Sequence, residues 1–363
     1  MTVSRARLLL IVLGMLALLA GLWAGLVRIG WEVPLLQPDL PSVHGPLMVS
    51  GFLGTLISLE RAVALGHPVT YAAPLMTGLG GLALLLGVPT PAAPVLIALG
   101  SAGLVALFAS VFSRQPALFT GLMGLGALAW FVGNALWLAG VPIPGVVSWF
   151  GGFLILTIVG ERLELSRLVR PTRVSQGAFL SALTVYLIGL ILSSLSLPTG
   201  LRLEGLGMLG LALWLVRFDI ARYTVRQTGL TRFIAVSLLS GYAWLGISGG
   251  LWIVFGDATA GPLYDAMLHT VFLGFVFAMI FAHAPIILPA VFGGPIPYRA
   301  DFYAPLALVN LSLIVRLSGD LGGWVVARRW GGLLGVLAVL AFLANTVRTA
   351  LGARQISRGR PHA

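Results

Sequence analysis

Five histidines are the scarce chemical groups in a chain of 363 residues. His67 and His362 fall in polar stretches and are expected to be solvated. His44, His269 and His283 fall within or at the start of apolar runs, where an imidazole is costly unless paired or bound to a metal. Neutral imidazole is a good ligand for iron or copper, so these three are the candidate cofactor- and metal-binding residues. His269 and His283 are 14 residues apart. On a regular helix that is about 1400° of turn, within roughly 40° of one face, but about 21 Å along the axis. They cannot share one small metal ion. His44, in the first turn of its run, and His269, about two turns into its own, are expected to face each other across an outer-leaflet cofactor. His283 would then serve a second site or a structural bond. The plain alternative for each is a histidine bonded to the carbonyl of a neighbouring helix.

The remaining chemistry is sparse. There is no cysteine, which excludes thiolate metal sites, thiol nucleophiles and disulfides. Glu60-Arg61 and Glu161-Arg162 sit at the ends of apolar runs and are expected to form interfacial ion pairs, crosswise between two helices; a proton relay is the sharper alternative. Asn134, Asn310 and Asn345 are expected to hydrogen-bond between helices. Trp252, Tyr264 and Trp324 read as outer-interface anchors. No P-loop, His-Glu-x-x-His or Gly-x-Ser-x-Gly arrangement occurs, so no hydrolase or nucleotide-driven mechanism is indicated.

These residues must be carried by membrane helices. The chain is 58% hydrophobic and 9% charged, with a mean hydropathy of +1.02, whereas soluble chains carry about a quarter charged residues. A water-soluble enzyme is excluded. The net charge of +11 comes from 22 arginines and no lysine. Those arginines flank the apolar runs, where they set topology, so nucleic acid is not a partner; the lipid bilayer is.

Apolar runs between turn signals predict twelve helices, near 8–28, 43–63, 70–88, 92–112, 117–139, 144–164, 175–195, 200–218, 232–254, 262–289, 302–317 and 324–350. The first is long for a signal peptide and no Ala-x-Ala-like site precedes Trp31, so it reads as a retained span. With twelve helices, 17 arginines fall on the side of both termini and five, Arg28, Arg202, Arg316, Arg328 and Arg329, on the other. That asymmetry predicts cytoplasmic termini. Glu32, Asp39, Asp257, Asp265 and Asp320 are assigned to the outer loops.

One pattern recurs. The second helix holds Gly51-Phe52-Leu53 and, five residues after the Phe, Ile57, then Glu60-Arg61. The sixth holds Gly152-Phe153-Leu154, Ile158 and Glu161-Arg162. The tenth holds Gly274-Phe275 and Ile280, with His283 in place of the Glu. Coincidence is one explanation. The other is three parallel four-helix units, roughly 1–115, 116–230 and 231–363, within a single membrane domain. Gly51, Gly152 and Gly274 would then let three helices approach closely around a centre.

His44-Gly45-Pro46-Leu47-Met48 resembles the His-Gly-x-x-Met element that supplies a haem ligand in the main subunit of haem-copper oxidases. That family also has twelve helices in a pseudo-threefold arrangement and further haem ligands on its tenth helix. Its copper-binding histidines on helices six and seven have no counterpart here, nor has its His-x-His pair, so a complete oxygen- or nitric-oxide-reducing centre is not expected. The segment His269–Phe275 with Met279-Ile280 is similar to the NnrS family, twelve-helix bacterial membrane proteins that contain haem and copper and are linked to nitric oxide stress. The resemblance implies a b-type haem, copper as a second cofactor, a small gas ligand such as nitric oxide, and residence in the inner membrane.

The reading is therefore an all-α, twelve-helix inner-membrane protein that binds haem, copper or both through His44, His269 and His283, in nitric oxide or respiratory metal metabolism. Two rivals stand beside it. One is a secondary transporter with a midplane site, for which Pro285, Pro289 and Ser248-Gly249-Gly250 would supply broken helices. The other is a cofactor-free assembly factor for a respiratory complex.

Overall fold

The computed structural model describes residues 5–166, 172–292 and 297–358. Arg167, Arg170, Arg360 and His362 lie outside the described residues. Twelve helices are long and apolar enough to cross a membrane. They are α1 (Arg5–Arg28), α2 (Leu40–Leu65), α3 (Pro68–Leu85), α4 (Ala92–Arg114), α5 (Leu118–Leu138), α6 (Ile143–Leu165), α7 (Arg173–Leu192), α8 (Leu197–Phe218), α9 (Gly229–Phe255), α10 (Gly261–Pro289), α11 (Ala300–Gly322) and α12 (Val325–Leu351). The protein is an all-α, multi-pass membrane protein. Helices are the solution because hydrocarbon offers no partner for an open backbone N–H or C=O. Large apolar side chains on their outer faces agree with a lipid surround: Leu213 is 64% exposed and Val254 62%.

The helices group into two compact units of six, residues 3–165 and 166–363. Within each unit, sequence neighbours pack as hairpins, chiefly α3 with α4 and α4 with α5 in the first, and α7 with α8, α8 with α9 and α11 with α12 in the second. The division falls after α6. Gly66 and Gly323 end α2 and α11 in the left-handed conformation, φ +69° and +70°, that an L side chain resists.

Small residues let the helices touch. In the first unit a Cβ on Gly51 would lie 2.9 Å from Ala17 Cβ in α1 and 3.2 Å from Gly81 Cα in α3. In the second, a Cβ on Gly274 would lie 2.7 Å from the Trp244 side chain in α9. Both glycines allow close contacts with helices next to them in the sequence, α1, α3 and α9.

Among the described residues, two helices contain π-helical stretches. α2 turns π-helical over Leu47–Gly54, and α10 over Thr270–Val276. Stretches of this kind are rare and gather at functional sites. Each begins within three residues of a histidine, His44 or His269. The hints of breakage elsewhere have another outcome: Ser248-Gly249-Gly250 lies inside the continuous α9, and Pro285 and Pro289 lie inside the helical end of α10.

Candidate functional site

In the first unit, His44 opens α2. Its Nδ1 donates to the backbone oxygen of Gly21 in α1 at 2.7 Å. Its ring lies on Gly25, whose added Cβ would stand 3.1 Å from Cε1. Glycines in α1 thus make the flat face on which the imidazole rests. At its far end, the π stretch places Gly54 beneath the indole of Trp130 in α5, so close that no Cβ fits there. Trp130 Nε1 donates to Ser50 Oγ at 3.0 Å, and Ser50 Oγ donates to Asn134 Oδ1 at 3.2 Å. Trp130 also stacks on Phe153 of α6, centroids 4.7 Å apart.

The second unit repeats these parts in a different arrangement. Trp244 packs on Gly274 of the π stretch and donates Nε1–H to Asn310 Oδ1 at 2.8 Å. Ser240 Oγ donates to the same oxygen at 2.8 Å. Asn134, Asn310 and Asn345, which donates to the Asp301 oxygen at 3.1 Å, all bond between helices as their sequence positions suggest.

His269 stands just ahead of the second π stretch. Its Nδ1 is 3.0 Å from the backbone oxygen of Asp265 and 3.2 Å from Asp265 Oδ1. Arg316 of α11 holds that carboxylate in a two-point fork, Nε to Oδ2 at 2.7 Å and Nη2 to Oδ1 at 2.9 Å. Arg328 of α12 reaches Asp265 Oδ2 at 3.7 Å and Asp320 Oδ1 at 3.0 Å. The Asp320 side chain has no solvent exposure. Assigning Asp265 and Asp320 to outer loops is therefore corrected: both stand within helices, where Asp320 and Arg316 are buried and Asp265 is nearly so. Asp265 could have been found in the sequence, being one helical turn before His269 on the same face. Nothing in the sequence shows that α11 and α12 bring two arginines and a second carboxylate to it.

His283 lies beyond the π stretch, its Nδ1 donating to the Met279 oxygen at 2.7 Å. The wider turns between His269 and His283 mean that the angle and rise reckoned for a regular helix do not apply. His44 belongs to the first unit, His269 and His283 to the second. Among the described residues, no three His, Asp or Glu side chains converge where they could hold one metal ion.

All three imidazoles share one feature. A carbonyl oxygen only accepts, so each Nδ1 carries its hydrogen, and in the neutral ring the lone pair is on Nε2. This is the arrangement by which proteins orient a histidine ligand. The plain alternative, a bond to the carbonyl of a neighbouring helix, is present for His44; His269 and His283 bond instead to carbonyls four residues back in their own helix, and either kind of bond also orients a ligating histidine.

The other expected groups are simpler. Arg61 of α2 pairs crosswise with Glu161 of α6, and stands 3.8 Å from Glu60 and over the Phe108 ring. Trp252, expected at an interface, is instead 2% exposed and donates to the Met267 oxygen at 2.9 Å. Trp324 is 64% exposed. His67 is exposed and accepts from Val69 N at 3.4 Å, capping a short turn.

Residues 7–351 match the model of a domain of unknown function, DUF8744. The chain belongs to the DUF8744 family. The match runs through all twelve helices, so both π stretches, the histidines ahead of them and the Asp265 cluster lie within the DUF8744 domain. No curated protein matches the sequence.

Proposed function

We propose that this protein binds haem in the membrane, with His44 in the first unit and His269 in the second each an axial ligand in its own right, and that it works in nitric oxide or respiratory metal chemistry. The observation that carries the reading is the shared orientation of the imidazoles: Nδ1–H is donated to a carbonyl, which puts the lone pair on Nε2, ahead of a π-helical stretch. The donor set suits such a group. A haem iron needs only one or two axial nitrogens from the protein, and a lone histidine supplies one. A copper ion held by side chains alone commonly draws on three or more donors, more than converge among the described residues. Copper is accordingly the second choice, and His283 the candidate for a separate site.

When bound, haem supplies an iron that carries one electron or takes a small gas as ligand. The chain's part is to orient the imidazoles, through Gly21 for His44 and Asp265 for His269. Apolar helices such as α2 and α10 keep water away and favour a gas over a polar ligand. In this reading the protein sits in a bacterial inner membrane with both termini cytoplasmic, supported by the 17-to-five division of arginines.

The test is an absorption spectrum of protein purified from cells supplied with haem precursor. A Soret band, a reduced-minus-oxidised difference and a Soret shift on adding nitric oxide are expected. A colourless, metal-free preparation would overturn the reading in favour of a transporter or an assembly factor.

A further inference from the structure

His269 differs from the other two membrane histidines in what stands behind it. His44 and His283 donate to neutral carbonyls, of Gly21 and Met279. The His269 Nδ1–H meets the carbonyl and the carboxylate of one residue, at 3.0 and 3.2 Å. The carboxylate is not free to swing away. Arg316 grips both of its oxygens, and Arg316 is itself 9% exposed. The helix that carries Arg316 is pressed against α12, where a Cβ on Gly331 would meet the Arg316 backbone nitrogen at 2.5 Å. Helix packing therefore fixes the arginine, the arginine fixes Asp265, and Asp265 stands against the imidazole.

We infer that Asp265 is a positioning residue that makes His269 a stronger nitrogen donor than an imidazole backed by a carbonyl alone, with Arg316 as its clamp. An anionic acceptor behind Nδ1–H draws that proton away and loads electron density onto Nε2. A ligand so backed favours the more highly charged state of a metal, here ferric over ferrous iron. Groups of this kind alter metal affinity by about 10- to 100-fold when removed. The fork from Arg316 also limits the effect, because it shares the charge that would otherwise fall on the ring. This inference rests on the haem reading for its consequence, but the polarised imidazole is a property of the chain itself.

Two measurements separate the inference from that reading. The first uses haem-free protein with 15N-labelled histidine in detergent micelles, with signals assigned by His269→Gln. The Nδ1–H of His269 should resonate further downfield than those of His44 and His283, and Asp265→Asn/Arg316→Gln should bring it level with them. The double variant is used because removing Asp265 alone leaves Arg316 buried without its partner. Equal signals for the three histidines in the native protein, or no change in the double variant, would overturn the inference whether or not haem binds. The second uses haem-loaded protein. With haem in excess so that both proteins are loaded, the double variant should lose about tenfold in ferric preference, a rise in midpoint potential of about 59 mV for one electron. Haem bound with an unchanged potential sinks the inference and leaves the haem reading standing. An Asp265-dependent signal in a protein that never takes up haem does the reverse.

Discussion

The indole of Trp130 lies against Gly54 so closely that the backbone of α2 must be bare at that point. The contact sits inside the π stretch and joins α2 to α5, with the indole N–H bonded to Ser50 of the same stretch. Gly54→Ala is expected to force the ring or the helix aside, at about 1–3 kcal/mol. Trp130→Phe keeps most of the packing but loses one hydrogen bond, about 1 kcal/mol. Thermal unfolding in detergent should rank Gly54→Ala as the more damaging change. The opposite order would mean that the hydrogen bond, not the close approach, holds this contact.

Two ion pairs invite comparison. Arg61 and Glu161 are each about a fifth exposed, whereas Arg316 and Asp265 are 9% and 13% exposed. Partly exposed pairs contribute up to about 1 kcal/mol, while stranding one partner of a buried pair costs about 3–5 kcal/mol. Glu161→Gln should therefore lower the melting temperature slightly and Arg316→Gln severely. Adding Asp265→Asn to Arg316→Gln should recover much of the loss, because no buried charge is then left alone.

Histidine variants divide by environment. His44→Ala and His269→Ala should reduce the haem-to-protein ratio while folded protein remains in the membrane. His67→Ala should leave haem content unchanged and cost below about 1 kcal/mol, the value of a weak exposed cap. Haem retained in both membrane variants but lost in His283→Ala would move the cofactor to the other side of the α10 π stretch.

Topology is open to a direct check. Reporter fusions after Arg348 and in the loop around Asp257 should report opposite sides of the membrane. The same side for both would break the even helix count and, with it, the placement of both termini in the cytoplasm.

Hydropathy, glycine and arginine placement by themselves determined the twelve helices, because every span must satisfy its backbone internally and so announces itself as an uninterrupted apolar run. The pairing of Arg61 with Glu161 was legible for a related reason: two helix ends with complementary charges and the same preceding pattern. The scarcity of histidine marked His44, His269 and His283 before any packing was known. What the sequence left open concerns which faces meet. Asp265 and Asp320 looked like loop charges, and Arg316 like a topology-setting arginine, because each stands near a span's end; only the contact of α10, α11 and α12 turns them inward as one cluster. The π stretches were equally hidden, and so were the contacts of indoles from α5 and α9 with Gly54 and Gly274 inside them. Helix formation is decided by local backbone chemistry, whereas a buried charge or a widened turn is stable only when side chains from other helices complete it, and that is a property of the tertiary structure alone.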